Sequence, residues 1–238
     1  LHRVDRRQRQ MCIRDSVYSL YVTGVTASGT ASVVANTHVL GVAVTDTAAN
    51  IQLATNLTTL INLGSKLTAI TESGTVSVIN LTASQYSNSF TAKFTNFTAT
   101  VSGLSVSNAI LATNDVKVSS ITVADTSYNI ALNVDALQTG IAKITAITQT
   151  GTITPLSITA TQFVNDAGIL GKITNYSLVV SNVSVGNAPT MLSNAKVVSF
   201  TVADTAANIA TSLDALNSIG TKLTAVQVID SNPITLTY

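Results

Sequence analysis

The chain has 238 residues, of which 46% are hydrophobic, 10% are charged and 5% are aromatic, and its formal net charge is +1. Charges this sparse form no basic stripe, so the electrostatic footprint of a nucleic-acid-binding protein is missing. No apolar run reaches the length of about 18 residues that a membrane-spanning helix needs. We therefore predict a protein with no nucleic-acid partner and no membrane-spanning segment.

Residues 1–16 differ in composition from the rest of the chain. All five arginines and the single cysteine, Cys12, lie there, whereas the later residues carry seven lysines against nine acidic residues. This tail resembles a translated adapter or assembly junction, and we exclude it from the fold as non-native or disordered. The alternative is a genuine basic arm for nucleic acid or a membrane.

The tail yields the first testable prediction. Deletion of residues 1–16 is expected to leave the midpoint of thermal unfolding unchanged, because the tail shares nothing with the sequence that follows it. Calorimetry of the two chains measures this directly. A large loss of stability on deletion would show that the tail belongs to the fold.

A unit of 79 residues recurs three times after the tail. Tyr18, Phe97 and Tyr176 open the copies at this interval, and an aspartate follows each opening residue by 28 positions. The predicted boundaries are 17–96, 97–175 and 176–238, the third copy being shorter than the other two. We expect the chain to be a segment of a longer array.

The predicted elements follow the same order in each copy. An opening strand and a short helical segment lead to a second strand rich in β-branched residues, of which Val197–Val202 is the clearest case. A long helix is predicted next, from apolar residues spaced as on one helical face. A third strand, a turn, a fourth strand and a short helix complete the copy. The opening strands are predicted at 18–22, 97–101 and 176–180. The third strands are predicted at 66–70, 143–147 and 222–226, and the fourth strands at 76–81, 153–158 and 234–236.

The apolar residues of the long helix can be assigned in all three copies. In the third copy they recur at intervals typical of a single helical stripe, and the second copy repeats the pattern. In the first copy the stripe is displaced by two inserted residues. The three predicted stripes are Leu53, Leu57, Leu60 and Leu63; Ile130, Val134, Leu137 and Ile141; and Ile209, Leu213, Leu216 and Ile219.

The fold class predicted from this pattern is an α/β repeat. Each copy contains about three strand-then-helix coils of about 26 residues, and a coil of that size buries its apolar face only by stacking on neighbours. We therefore expect an elongated α/β solenoid, with strands on one face and helices on the other. Three separate α/β domains in a row are the alternative.

The most regular polar positions form an Asp-Thr-x-x-Asn signature. A series of calcium sites is one interpretation, but calcium prefers several carboxylates per site, and helix capping explains the aspartates better. In the third copy, Asp204 or Thr205 can cap the helix N-terminus. We expect the asparagines to bond the backbone of adjacent coils, with glycan binding as the alternative. The signature residues are Asp46, Asn50, Asp125, Asn129, Asp204 and Asn208.

Two further sets of recurring residues have structural interpretations. Lys66, Lys143 and Lys222 begin equivalent strands and are predicted to form an exposed edge that discourages strand pairing. The aromatic residues that open the copies are predicted to be core anchors, with stacking on sugar as the alternative.

Catalytic chemistry is hard to assemble from these residues. The only histidines are His2, in the tail, and His38, which has no counterpart in the other copies. Hydroxyl groups are abundant, but a hydroxyl without a base is not a nucleophile. We predict no enzyme activity, no cofactor and no metal site.

The pattern in Val123–Leu137 and Val202–Leu216, followed by Lys-Leu/Ile-Thr-Ala, resembles tandem repeats of very large bacterial surface or secreted proteins. These are grouped with adhesin-like, hemagglutinin-like and RTX-associated proteins. The resemblance covers residues 17–238, but the glycine-aspartate nonapeptides of RTX proteins are absent from it. It implies export to the cell surface or the medium, and a role in attachment or spacing.

We therefore expect a non-catalytic stalk or spacer whose partners are neighbouring repeats of the same longer chain, with a cell-surface glycan or protein as a further candidate. One alternative is a binding module that presents threonines on its strand face to glycan or ice, as Thr98-Ala99-Thr100 and Thr235-Leu236-Thr237 suggest. Another alternative is a self-assembling element similar to an S-layer protein.

Overall fold

The computed structural model describes residues 18–235, so the predicted tail at 1–16 and the end of the strand predicted at 234–236 lie outside the described residues. The chain is an α/β protein in which helices alternate with strands. Its eleven described strands form three sheets. The strands are β1 Leu20–Val25, β2 Val39–Asp46, β3 Leu67–Glu72, β4 Ile79–Thr82, β5 Ala99–Leu104, β6 Val118–Thr126, β7 Ile144–Thr150, β8 Leu156–Thr159, β9 Leu178–Val183, β10 Val197–Asp204 and β11 Leu223–Val228.

The strand predictions are confirmed up to residue 228, each strand beginning within three residues of its predicted start. The exception is the strand predicted at 234–236, since residues 234 and 235 belong to no strand.

Short α-helices fill most of the connections. They are α1 Thr30–Val34, α2 Ala48–Gln52, α3 Ala54–Asn62, α4 Asn88–Thr91, α5 Val106–Thr113, α6 Ser127–Leu132, α7 Val134–Thr139, α8 Ala160–Asn165, α9 Ala167–Leu170, α10 Ala188–Ser193, α11 Ala206–Thr211 and α12 Leu213–Asn217.

Every sheet follows the order of the chain. The sheets are β1-β2-β3, β4-β5-β6-β7 and β8-β9-β10-β11, and strands such as β2 and β3, β6 and β7, and β9 and β10 pair in parallel. Parallel neighbours need a crossover connection, which the helices provide. Because the strands of a sheet follow the order of the chain, each strand-helix segment lies beside the next segment of the same sheet.

Residues flanking the strands extend this pairing. In the second copy, Ile147 of β7 forms a parallel bridge with Ile173, and a few residues later β9 pairs in parallel with β8. The segment from residue 173 to the end of β9 therefore lies beside both β7 and β8. In the first copy, Ile70 of β3 forms the corresponding bridge with Phe94.

The chain divides into two compact units. Within the described range, the first contains residues 18–80 and 85–99, and the second contains residues 81–84 and 100–235. The first unit holds β1, β2 and β3. The second holds β6 to β11 and most of β5, and the division falls within β4.

The predicted long helix is wrong in all three copies, because a break divides it into two short helices. Leu53, Asn133 and Ser212 mark the breaks between α2 and α3, α6 and α7, and α11 and α12. At Asn133 the side-chain Nδ2 donates to the carbonyl of Asn129 at 2.9 Å, while the backbone amide bonds Ile130 instead. Asparagine thus takes the acceptor that a continuing helix would need.

The break also corrects the predicted apolar stripe of the first copy. Ile51 is fully buried, as is Ile130, its counterpart 79 residues later. The sequence pattern places Leu53 at this position, but Leu53 is 54% exposed because it is the residue with non-helical backbone between the two helices. The two inserted residues therefore come after Ile51. The apolar stripe continues beyond them through Leu57 and Leu60, which are both buried.

Candidate functional site

The Asp-Thr-x-x-Asn signature forms the same cluster of hydrogen bonds in each copy, which we call the aspartate junction. It lies where a strand ends and a helix begins, at Asp46, Asp125 and Asp204. The first of these side chains is 7% exposed. Asp46 and Asp204 are the last residues of their strands and Asp125 is the last but one, and in each copy the following threonine is the N-cap of the next helix.

Each junction aspartate accepts a hydrogen bond from a backbone amide of the preceding strand-helix segment. The Oδ2 atoms of Asp46, Asp125 and Asp204 accept the backbone N–H of Ala27, Val106 and Val185 at 2.9 Å in all three copies. The donor lies 19 residues before the acceptor each time. The aspartate therefore ties the turn after one strand to the end of the next.

The other carboxylate oxygen organises the helix start. Asp46 Oδ1 accepts the Thr47 amide at 2.8 Å and Asn50 Nδ2 at 2.7 Å. The same two distances recur at the second and third junctions. The threonine hydroxyl, not the aspartate, is the N-cap, because Thr47 Oγ1 accepts the Asn50 amide.

Two sequence interpretations are therefore wrong. The junction aspartates do not cap the helices, since Thr47, Thr126 and Thr205 do so; of the two candidates in the third copy, Thr205 is therefore confirmed and Asp204 is not. The asparagines were expected to bond the backbone of a neighbouring coil, but their Nδ2 atoms donate to the aspartate of their own copy. The link between segments is made by the aspartate itself.

The hydrogen bonds keep the junction aspartates ionised. At Asp46, burial works to raise the pKa, but the bonds from Asn50, Ala27 and Thr47 together outweigh it and hold the pKa below its ordinary value. The pKa of Asp204 is also lowered, and the main cause is the hydrogen bond from the Asn208 side chain. Because the folded pKa is lowered, this contribution to stability is present above the unfolded pKa and is lost as the pH falls through the folded pKa.

The residue next to each junction on the following strand varies. In register with Asp125, Gln149 accepts the Ser127 hydroxyl at 2.7 Å through Oε1 and donates to the Asn175 carbonyl. In the first copy this position is Glu72, whose Oε2 accepts the Ser77 amide at 2.7 Å. Glu72 Oε1 is buried with no hydrogen-bond partner among the described residues. No sequence pattern marked Glu72, since its counterparts differ.

A second recurring feature ties neighbouring strands together through hydroxyl groups. Thr68 Oγ1 donates to the carbonyl of Val42 on the preceding strand at 2.9 Å. The second residue of each of the two equivalent strands, Thr145 of β7 and Thr224 of β11, does the same at 3.0 and 3.1 Å. These hydroxyls serve the sheet itself.

This hydroxyl bond gives a prediction with a matched control. Replacement of Thr145 by valine keeps the size of the side chain but removes the donor to Ile121, and is expected to cost about 1 kcal/mol of unfolding free energy. Thr148→Val, on the same strand at an exposed position, is expected to cost less than about 0.5 kcal/mol. Urea denaturation compares the two, and equal costs would contradict the role given to the Thr145 hydroxyl.

Two of the three recurring lysines bond the preceding segment through their side chains. Lys143 Nζ donates to the carbonyl of Asp115 at 2.7 Å, and Lys222 Nζ donates to the carbonyls of Leu192 and Asn194 at 3.0 and 3.2 Å. These acceptors lie in or just after the helix of the preceding segment, where carbonyls lack helical partners and attract cations. The prediction of an edge that discourages pairing is therefore wrong for these two lysines.

The aromatic residues that open the copies are buried to different degrees. Phe97 is buried, confirming a core anchor, whereas Tyr18 and Tyr176 are half-buried. Tyr18 stacks on His38 with ring centroids 4.2 Å apart, and Lys196 Nζ lies 4.9 Å from the ring centroid of Tyr176.

One pair of acidic residues was not recognised in the sequence. Asp166, between α8 and α9, is 4% exposed, and its Oδ2 has no hydrogen-bond partner within residues 18–235. Burial, then hydrogen bonding and charge repulsion from Asp135 on α7, raise the pKa of Asp166 to about 6. Gln162 Nε2 donates to Asp135 at 2.9 Å and helps to hold this carboxylate in place.

The described part of the chain contains no group of three or more His, Cys, Asp or Glu side chains that could hold a metal ion. Of the helices between residues 18 and 235, none has the length and apolar character needed to cross a bilayer. The aspartate junction recurs with the same bonds in all three copies, and these bonds link one strand-helix segment to the next.

Comparisons with known proteins give no relative. No family model matches the chain, and neither a curated protein nor a solved structure matches it.

Proposed function

We propose that this chain is a structural repeat segment, a stalk or spacer, of a large bacterial cell-surface or secreted protein. The observation that carries the proposal is the aspartate junction, repeated at 79-residue intervals with the same distances between the same atoms. A catalytic site has no need of three copies of one polar link. A spacer needs them, because each link fixes one segment against the next.

The sequential parallel strands support the finer architecture of an α/β solenoid. In each sheet a strand pairs with the next strand along the chain, as stacking of successive coils requires. The bridges at Phe94 and Ile173 extend this pairing to a further segment. We propose that coils stack continuously through all copies, with three coils in each copy.

Extracellular location is part of the proposal and rests on the resemblance to bacterial surface repeats. The composition supports it, because only seven lysines and no arginines occur after residue 16. The neighbouring repeats of the same longer chain would be the principal partners. The attachment chemistry would then be carried elsewhere in that chain.

The test places the repeats between a bacterial surface anchor and a terminal epitope tag. Residues 97–175 are inserted in one, two or three extra copies, and the height of the tag above the membrane is measured by super-resolution microscopy or force spectroscopy. A spacer predicts a linear rise in height with copy number. A height independent of copy number would contradict the proposal.

A threonine face is a second candidate, favoured by one observation. Thr45 and Thr71 are in register on β2 and β3, and Thr95 Oγ1 lies 2.9 Å from Thr71 Oγ1, so the three side chains form a row. Such a row could present hydroxyls to glycan or ice. The chain is tested for binding to a glycan array and for inhibition of ice recrystallisation. Either activity, if it is lost in Thr45→Lys, would support this candidate over the spacer.

A further inference from the structure

A cavity of about 300 Å³ lies in the first unit, between the C-terminal end of α3 and the helix α4. This volume is at the lower end of the range for small-molecule sites. The apolar part of its lining consists of side chains that the fold buries, Leu60, Leu67 and Phe90. The cavity therefore reaches down to the core of this unit.

The polar part of the lining carries one positive charge and several hydroxyl groups. Ser65, Ser87 and Ser89 are exposed, and Lys93 is half-buried. Ser87 Oγ lies 3.2 Å from Ser89 Oγ and accepts the Phe90 amide at 3.3 Å. Among the described residues that line the cavity, Lys93 alone is charged. No carboxylate of this lining therefore pairs with the lysine ammonium group.

The second copy has side chains where the first copy has this cavity. Allowing for the two inserted residues, Gly64 corresponds to Ile141, and Ser89 corresponds to Gly168. A Cβ atom at Gly168 would lie only 2.8 Å from Ile141 Cδ1, so Ile141 packs directly against α9. Gln138 Oε1 also accepts a backbone amide of α9 at 2.8 Å. Gly64 has no side chain to make such a contact, and the first copy has an open volume instead.

We propose that this cavity binds a single acidic sugar, a hexuronate. Lys93 Nζ donates to the sugar carboxylate, and the hydroxyls of Ser87 and Ser89 exchange hydrogen bonds with the ring hydroxyls. The C–H face of the ring packs against the apolar part of the lining. An ammonium group without a carboxylate beside it selects an anion, and the neighbouring hydroxyls favour an anion that is itself rich in hydroxyl groups.

This site goes beyond the spacer role and does not depend on it, because it concerns side chains of the first copy alone. A ligand of one ring with a single charge is expected to bind with a dissociation constant of about 1 mM. A contact of this strength adds to attachment chemistry elsewhere in a longer chain and does not replace it.

The test is a titration of the full chain with sodium glucuronate, followed through the amide NMR signals of Ser89, Phe90 and Lys93. We expect saturable shifts of these signals. Glucose, which lacks the carboxylate, and inorganic phosphate, which lacks the ring, are each expected to bind about fivefold more weakly or worse. The two probes thus separate recognition of an acidic sugar from recognition of a neutral sugar or of a bare anion.

Two variants and a matched control assign the binding to this cavity. Lys93→Gln removes the ammonium group but keeps the carbonyl that accepts the Ile70 amide, and should weaken glucuronate binding about fivefold or more. Ser89→Leu, at an exposed position of α4, narrows the cavity and should weaken binding with the lysine still present. Lys172→Gln is the control, because Lys172 holds the same place in the second copy and its carbonyl accepts the Ile147 amide. It should leave binding unchanged.

Three results would overturn the proposal. They are the absence of saturable shifts at glucuronate concentrations well above the expected dissociation constant, equal affinity of the parent and Lys93→Gln for glucuronate, and binding of glucose or phosphate as tight as that of glucuronate. None of these results changes the height expected in the tag experiment, so failure of this site and failure of the spacer proposal are distinguishable.

Discussion

Replacement of Asp46 by alanine is expected to lower the free energy of unfolding of the first unit by about 3 kcal/mol. The substitution removes a buried carboxylate that accepts bonds from Ala27, Thr47 and Asn50. Bonds to a charged acceptor are stronger than neutral ones, and the donors that remain would be left without a partner. Urea denaturation followed by circular dichroism measures the loss.

Two further variants separate the junction from a general effect of charge. Asp214→Ala removes an exposed aspartate on α12 and is expected to cost less than about 0.5 kcal/mol. Asp46→Asn keeps one acceptor oxygen but loses the charge, and should fall between the two. If Asp46→Ala and Asp214→Ala destabilise the protein equally, the aspartate junction is not the link described above.

Replacement of Asp166 by asparagine is expected to stabilise the protein above pH 6. The pKa of Asp166 is raised from 3.8 to about 6, first by burial and then by Asp135. The folded state therefore holds this proton more tightly than the unfolded state, so the contribution is fully present below pH 3.8 and is lost as the pH rises through about 6. Asparagine retains a donor and never ionises, so it avoids this loss.

The expected gain in unfolding free energy at pH 7.5 is about 1 to 2 kcal/mol. This is less than the pKa shift of Asp166 would give in full, because solvent screens the exposed Asp135. At pH 4 the variant and the parent should have the same stability within about 0.5 kcal/mol. Asp214→Asn is the matched control, since Asp214 occupies the position of Asp135 in the third copy without a partner equivalent to Asp166 in the described residues. A gain for Asp166→Asn that is equal at both pH values would contradict the account.

The strands could be predicted because their sequences carry a strong local signal. β-branched residues and alternation of apolar with polar side chains place β6 and β10 without reference to the rest of the molecule. The helix breaks could not be predicted from periodicity, since Val134 and Leu137 remain buried and in phase across the break at Asn133. At the second break, the Asn133 side chain donates to the Asn129 carbonyl, a bond that periodicity does not reveal.

The polar links were only partly predictable. Recurrence identified Asp46, Asp125 and Asp204, but their acceptor role depends on an amide 19 residues earlier that carries no side-chain signal. The Asp135–Asp166 pair occurs in one copy, so recurrence could not reveal it. The positions of the recurring polar residues can be read from the sequence, whereas the partners of their side chains depend on the fold.

The most direct test of the account is the increase in length per copy. Chains with residues 97–175 inserted once, twice and three times are measured by small-angle X-ray scattering in solution. Three stacked coils at the spacing of neighbouring strands, about 4.8 Å, predict that the maximum dimension grows by about 15 Å per copy. Growth of about 30 Å per copy, the diameter of a separate compact domain of this size, would contradict continuous stacking.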